Sequence, residues 1–276
     1  MDTIHLNTLS HKNEIIGNYD HVHDFYSIHT KSERDIIIWL PPSYKESIKS
    51  FPVLYIHDGQ NVFNPSTAFT GYDWKIDETA NYLIKNKYVQ EMIIVAIYNT
   101  RERIDEYNIF SQKGERYANF LIKELKPYID ENYRTLPAKE FTTTIGSSMG
   151  GLCSFQLAIK YPHIFGNACC MSSSFWVDDR SIFDYMKLYS LNETVKLYID
   201  CGMNEKQIID DSLKMCSVLK DLGLDTENFF CHIDKDGHHS ETDWARRLYI
   251  PLTFIFGKNG KSREILYPEP EIKSAS

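Results

Sequence analysis

Residues 142–151 read Thr-Thr-Thr-Ile-Gly-Ser-Ser-Met-Gly-Gly and join a β-rich run directly to a helical pattern from Leu152 to Tyr161. A chain that passes from strand to helix without a loop must turn sharply. Small residues at Gly146 and Gly150 let the two elements approach closely enough to do so. In that context G-x-S-x-G describes a strand–turn–helix elbow with Ser148 at its apex, lifted from the sheet edge so that its hydroxyl can attack a carbonyl. The N–H groups that open the following helix point the same way and suit a developing negative charge. The same residues also fit a tight βα turn around a buried structural serine, so the rest of the chain has to discriminate.

The remaining periodicity alternates strands and helices. Strands are expected over 21–28, 35–40, 51–57, 92–98, 141–145, 167–171, 195–200 and 229–233, and helices over 74–87, 115–133, 150–161, 179–189, 207–222 and 241–256. Several strands are continuously apolar, as strands buried on both faces are. The chain therefore reads as α/β, with a mostly parallel central sheet, helices on both faces and no large lid domain. Residues 1–20 are polar and weakly patterned and read as an irregular arm, 21–257 as the domain, and 258–276 as a Lys-, Pro- and Ser-rich tail. Such sheets bind ligands at the carboxyl ends of their strands. The polar clusters at 57–61, 99–107, 146–149, 172–176, 201–205 and 234–239 all fall at such ends, which points to one site.

Composition narrows the partners. Thirty Lys and Arg against 38 Asp and Glu give a net charge of −8, which argues against nucleic acid or an anionic membrane as partner. The opening Met1-Asp2-Thr3-Ile4-His5 has neither a basic nor an apolar leader segment, and no apolar run reaches the ~18 residues of a membrane span. A cytoplasmic location is expected. Six cysteines (153, 169, 170, 201, 216 and 231) form no C-x-x-C pair and are expected to be reduced and buried.

A serine nucleophile needs a base, and the base an orienting carboxylate. In doubly wound sheets these follow in the order Ser, acid, His. Downstream of Ser148 the histidines are 163, 232, 238 and 239. His163 lies at the tail of the elbow helix and His232 within a strand, which leaves 238 and 239. Ser240 with Asp243 makes a capping box that would pin His239, the favoured base, with His238 as runner-up. Asp200, Glu205, Asp210 and Asp211 compete for the acid, and Glu205, just after the Gly202 turn, is preferred. The N–H of Met149 and that of Gln60 or Gly59 would bind an oxyanion. Neither His21-x-His23 nor His238-His239 has a carboxylate or Cys at metal-ligand spacing, and no Gly-rich phosphate signature occurs, so neither metal nor cofactor is expected.

Taken together, several stretches resemble the Putative esterase family, which groups esterase D-like (S-formylglutathione hydrolase), feruloyl esterase, enterochelin esterase-like and mycolyltransferase proteins. They are Trp39-Leu40-Pro41-Pro42-Ser43-Tyr44, Val53 to Asn61, Trp74 to Thr79, Arg103 to Tyr107, Gly146 to Gly151, and Gly237-His238-His239-Ser240-Glu241 with Trp244. The match spans roughly residues 33–257. It implies an α/β-hydrolase fold without cofactor. The family's His, followed by a small polar residue, Glu and then Trp, falls on His239. Its acid-bearing turn, Cys-Gly-x-Asn-Asp, reads Cys201-Gly202-Met203-Asn204-Glu205 here, with Glu in place of Asp.

His57, Gln60, Asn61, Arg103, Glu106, Tyr107, Phe175 and Trp176 are expected to line the pocket. Rings together with polar groups there suit an aryl or sugar-linked ester, and the stretch from Ser148 to Glu205, which holds two βα units and little else, favours small substrates over long acyl chains. The expected function is a serine carboxylic-ester hydrolase with an acyl-serine intermediate. Two alternatives stand beside it: acyl transfer to an alcohol by the same residues, and a catalytically silent binding protein of the same fold. No feature of the sequence specifies an oligomeric state.

Overall fold

The computed structural model describes residues 14–188 and 194–258, together with Ser262 and Leu266. The expected arm up to residue 13 and nearly all of the tail lie outside the described residues. The element order is β1 (Asn18–Ser27), β2 (Ser32–Leu40), β3 (Val53–His57), α1 (Ile76–Lys85), β4 (Ile93–Ile97), α2 (Arg103–Glu106), α3 (Gln112–Phe120) and α4 (Lys126–Asn132). It continues with β5 (Thr142–Ser147), α5 (Met149–Lys160), β6 (Asn167–Met171), α6 (Val177–Leu188), β7 (Lys196–Gly202), α7 (Ile209–Asp221), β8 (Phe229–Asp234), α8 (Glu241–Arg247) and α9 (Tyr249–Phe256).

The strands form one sheet in the order β1-β2-β4-β3-β5-β6-β7-β8. β2 runs antiparallel to both β1 and β4, and every pairing from β4 to β8 is parallel. This is the α/β-hydrolase fold. Successive side chains of a strand point to opposite faces, so the apolar runs of β2, β3 and β4 feed two separate cores. Ile36, Ile38, Tyr55 and Val95 pack with Tyr117, Phe120, Phe155 and Leu157 on one face. Ile37, Trp39, Ile56 and Ala96 pack with Leu83, Leu252 and Phe254 on the other.

Prolines mark the two places where an expected helix divides. The expected helix 115–133 divides into α3, a wide π turn over Leu121–Leu125, and α4 with Pro127 in its first turn. Pro127 has no N–H to donate, and the wide turn absorbs the missing bond. The expected helix 241–256 divides at Leu248, with Pro251 in the first turn of α9, where its N–H is not required. The patternless stretch 99–114 holds α2 and the start of α3, whose Ser111 cap accepts from the Gly114 N–H at 2.9 Å.

One cysteine expectation is corrected. Cys216 of α7 and Cys231 of β8 form a disulfide with Cα atoms 6.3 Å apart, whereas Cys153, Cys169, Cys170 and Cys201 are free and buried. The two partners meet because α7 folds back against β7, the strand that pairs with β8, which spacing alone does not reveal. Among the described residues no helix is long and apolar enough to cross a membrane.

Candidate active site

Ser148 sits between β5 and α5 with φ 56° and ψ −120°. This is a sparsely populated backbone conformation, which a chain keeps only where its surroundings impose it. The imposition is steric and hydrogen-bonded. A Cβ on Gly146 would lie 2.5 Å from the backbone carbon of Gly150, and one on Gly151 would lie 2.5 Å from Ser173 Oγ. The Ser148 N–H donates to Met171 O at 2.9 Å, and the Ser174 N–H donates to Ser148 O at 3.0 Å. The loop after β6 thus clamps the elbow, and Ser174 Oγ stands 3.3 Å from Ser148 Oγ.

His239 is delivered by the loop after β8. Ser240 caps α8 by accepting from the Asp243 N–H at 3.3 Å, which sets the residue before it. His239 Nδ1 lies 2.7 Å from Glu205 Oε2, and the Glu205 side chain is 1% exposed against 38% for His239. The other Glu205 oxygen accepts from the Gly202 N–H at 2.6 Å and from Ser172 Oγ at 2.7 Å. Burial pushes the Glu205 carboxyl up, but hydrogen bonds from His239, Ser172 and Gly202 outweigh it and hold the group below the usual carboxylate range. Behind it, Ser172 Oγ accepts from Trp244 Nε1 at 3.0 Å and from Arg247 Nη2 at 2.7 Å. Arg247 Nε in turn pairs with Asp200 at 3.0 Å.

The competing acids are engaged elsewhere or face solvent. Asp200 is held by Arg247 and by the Tyr198 hydroxyl, Asp211 lies 2.8 Å from Arg180, and Asp210 is exposed. Among the histidines, His163 and His238 are exposed, the latter 3.9 Å from Asp243.

Ser148 and His239 line two clefts in common. The first is walled by Asp58, Gln60, Asn61, Phe69, Asn99 and Arg103, and the second by Ser174, Trp176, Asn204, Lys206 and Ile208. Gln60 lies in a short 3-10 turn that follows Asp58, whose own φ is 58°. Its Oε1 accepts from the Asn99 N–H at 3.2 Å. Arg103 grips Asp58 with two hydrogen bonds of 2.7 Å, and Asn99 Nδ2 adds a third at 2.5 Å. Burial works against the Arg103 charge, but Asp58 more than restores it.

Four expected pocket residues are not at the clefts. His57 is fully buried, with Nδ1 3.0 Å from the Tyr117 hydroxyl and Nε2 3.1 Å from Thr144 Oγ1. Burial lowers its pKa to about 4. Glu106 is buried against Arg34 at 2.8 Å, and Tyr107 is fully buried with its hydroxyl accepting from the Asp58 N–H at 3.0 Å. Phe175 packs into the core against Phe155 and Phe183. Gln60, Asn61, Arg103 and Trp176 do reach the clefts. Phe69 there and Arg247 behind Glu205 were not expected, and Asn99 and Ser172 were expected only as members of the clusters 99–107 and 172–176. The signal for Ser172 was its place at the carboxyl end of β6. Arg247 had none, because it sits inside a helix.

The fold and this constellation define an α/β-hydrolase with a candidate nucleophile–histidine–acid site. Residues 27–252 match the Putative esterase family. The chain belongs to this family of hydrolases that act on esters. Among curated relatives it is 23% identical over 254 residues to the uncharacterized protein YbbA of Bacillus subtilis (strain 168), covering 84% of this chain and 96% of that one. Among solved structures, a ferulic acid esterase superposes with a TM-score of 0.70 at 22% identity, covering 87% of this chain and 98% of that one. The enterobactin esterase of Shigella flexneri superposes with a TM-score of 0.71 at 18% identity, over 86% of this chain and 59% of that one.

Proposed function

We propose that this chain is a serine carboxylic-ester hydrolase that forms an acyl-serine intermediate on a small aryl or sugar-linked ester. The observation that carries this reading is the 2.7 Å contact of His239 Nδ1 with the buried Glu205 carboxylate, in a cleft wall that His239 shares with the elbow serine. Glu205 fixes the tautomer of His239 with Nδ1 protonated, leaving Nε2 to take the proton of Ser148 Oγ as that oxygen attacks the ester carbonyl. The developing oxyanion is received by the N–H groups of Met149 and Gln60. Collapse of the tetrahedral species expels the alcohol, which takes the proton back from His239. Water then repeats the sequence on the acyl-serine, releasing the acid.

Two clefts that meet at Ser148 give the acyl and alcohol portions separate seats. Phe69 in one and Trp176 in the other support an aromatic or flat substrate, and the ferulic acid esterase among the structural neighbours points the same way.

The test is a p-nitrophenyl ester series from acetate to octanoate. Ser148→Ala and His239→Ala are expected to lower kcat by about 10⁴- to 10⁶-fold, Glu205→Ala by less, and His238→Ala not at all. A fluorophosphonate should label the wild type and not Ser148→Ala. Hydrolysis by Ser148→Ala at the wild-type rate would overturn the mechanism. Product analysis with an added alcohol distinguishes hydrolysis from acyl transfer.

A further inference from the structure

The hairpin at the sheet edge carries a second polar cluster that the proposed ester chemistry does not use. His21 and His23 lie two residues apart on β1 and so face the same side of the strand. The pairing of β1 with β2 shifts between Val22 and Phe25, so that His23 and Asp24 stand opposite the single residue Asp35. Asp24 turns into the left-handed region (φ 50°), and its N–H donates to Asp35 Oδ1 at 3.1 Å. That bond anchors the carboxylate and leaves Oδ2 to the rings. His21 Nε2 lies 2.8 Å from Oδ2 and His23 Nδ1 lies 3.2 Å from it, with the ring centroids 3.7 Å apart. Among the described residues this is the group of three such side chains whose ligand atoms all fall within 4.8 Å of one another.

We propose that His21, His23 and Asp35 bind one divalent transition cation of the Zn²⁺, Co²⁺ or Ni²⁺ class, through His21 Nε2, His23 Nδ1 and a carboxylate oxygen. Two imidazoles with one carboxylate suit these metals, whereas Mg²⁺ and Ca²⁺ demand oxygen donors throughout. The size also fits. Bonds of ~2.0–2.1 Å at tetrahedral angles place neighbouring donors about 3.3 Å apart, close to the 3.2 Å spacing of His23 Nδ1 and about half an ångström wider than the 2.8 Å spacing of His21 Nε2 to Oδ2. Two charged imidazoles stacked this closely on one oxygen would repel each other, while one shared cation satisfies both lone pairs and the carboxylate together. The Asp24 N–H on Oδ1 supplies the outer support that orients a metal-bound carboxylate. His23, 67% exposed, leaves an entry path and open coordination positions. The carboxylate that was missing from the local sequence comes from the neighbouring strand. The site is independent of the proposed ester mechanism, since β1 is the outermost strand and Ser148 follows β5, four places along the sheet.

The experiment is calorimetric titration of Zn²⁺ into the untagged full chain after chelator treatment at pH 7.5. It is run on the wild type, His23→Ala, the double variant His21→Ala/His23→Ala, and His239→Ala as a control for metal caught at the candidate active site. One equivalent is expected on the wild type and on His239→Ala. His23→Ala should lose more than the 10–100-fold in affinity typical of outer-shell losses, and the double variant should bind none at the same concentrations. Bound Zn²⁺ should raise the Tm of the wild type and not that of the double variant. Both substituted side chains face solvent, and a circular dichroism spectrum checks that the double variant is folded. No binding to the wild type, or equal binding to the folded double variant, overturns the proposal.

Discussion

Ser172 shows how much of a site can depend on a residue that would never touch substrate. It is fully buried at the carboxyl end of β6 with φ 43°. Its hydroxyl donates to Glu205 and accepts from Trp244 and Arg247, so one oxygen joins the Glu205 carboxylate to a buried Arg247–Asp200 pair. Ser172→Ala would leave a carboxylate oxygen, an indole N–H and a guanidinium N–H each short of a partner. A stability loss of about 1–3 kcal/mol is expected in urea denaturation, together with a lower kcat at nearly unchanged KM. A KM that rises while kcat holds would mean that Ser172 shapes a cleft instead. At this scale the nucleophile, base and acid candidates were legible because each sits in a short pattern with its own turn chemistry. His57, Glu106 and Tyr107 were misplaced for a physical reason. Polarity at a strand end marks the right edge of the sheet but not whether a side chain turns toward solvent or into the layer beneath.

Elements were legible where periodicity is long and uninterrupted. The continuously apolar β3, β4 and β6 have every residue buried. Expected helices gained breaks at Pro127, which a wide turn precedes, and near Pro251, since a 3.6-residue apolar stripe persists across a short irregularity in the helix. The α7–β8 disulfide belongs to this scale as well. It closes a 15-residue separation that runs from the helix into the last strand, and a loop of that size gives about 3 kcal/mol in the chain-entropy account. Thiol titration of the denatured, unreduced protein should therefore find the four free cysteines and not all six. Cys216→Ser should lower stability by about 2–3 kcal/mol and make it insensitive to reductant. Six reactive thiols would count against the bond.

For the whole molecule, acid sensitivity is expected to trace in part to His57. Its folded pKa of about 4 lies below the ordinary histidine value of 6.5 because burial disfavours the cation. The unfolded chain therefore takes up a proton over a range in which the folded chain does not. The contribution of neutral His57 is full above pH 6.5 and is lost as pH falls toward about 4, at up to ~1.4 kcal/mol per pH unit. Urea midpoints measured from pH 7 to pH 4.5 should fall more steeply in the wild type than in His57→Gln. Parallel curves would assign the acid sensitivity to other groups.

The sequence by itself determined the alternation of strands and helices, the tight turn around Ser148, the chain order of the candidate serine, acid and histidine, and membership in an esterase family. Each of these rests on residues close together in the chain, where backbone preference, turn chemistry and apolar period act. Only the tertiary structure decided which distant groups meet: Glu205 with His239, Arg103 with Asp58, Cys216 with Cys231, and Asp35 with the two histidines of β1. Those pairings depend on strand order, on the crossovers between parallel strands and on a bulge in the first hairpin. All three are set by burying two apolar faces of one sheet at once, a constraint that no short stretch of sequence carries alone.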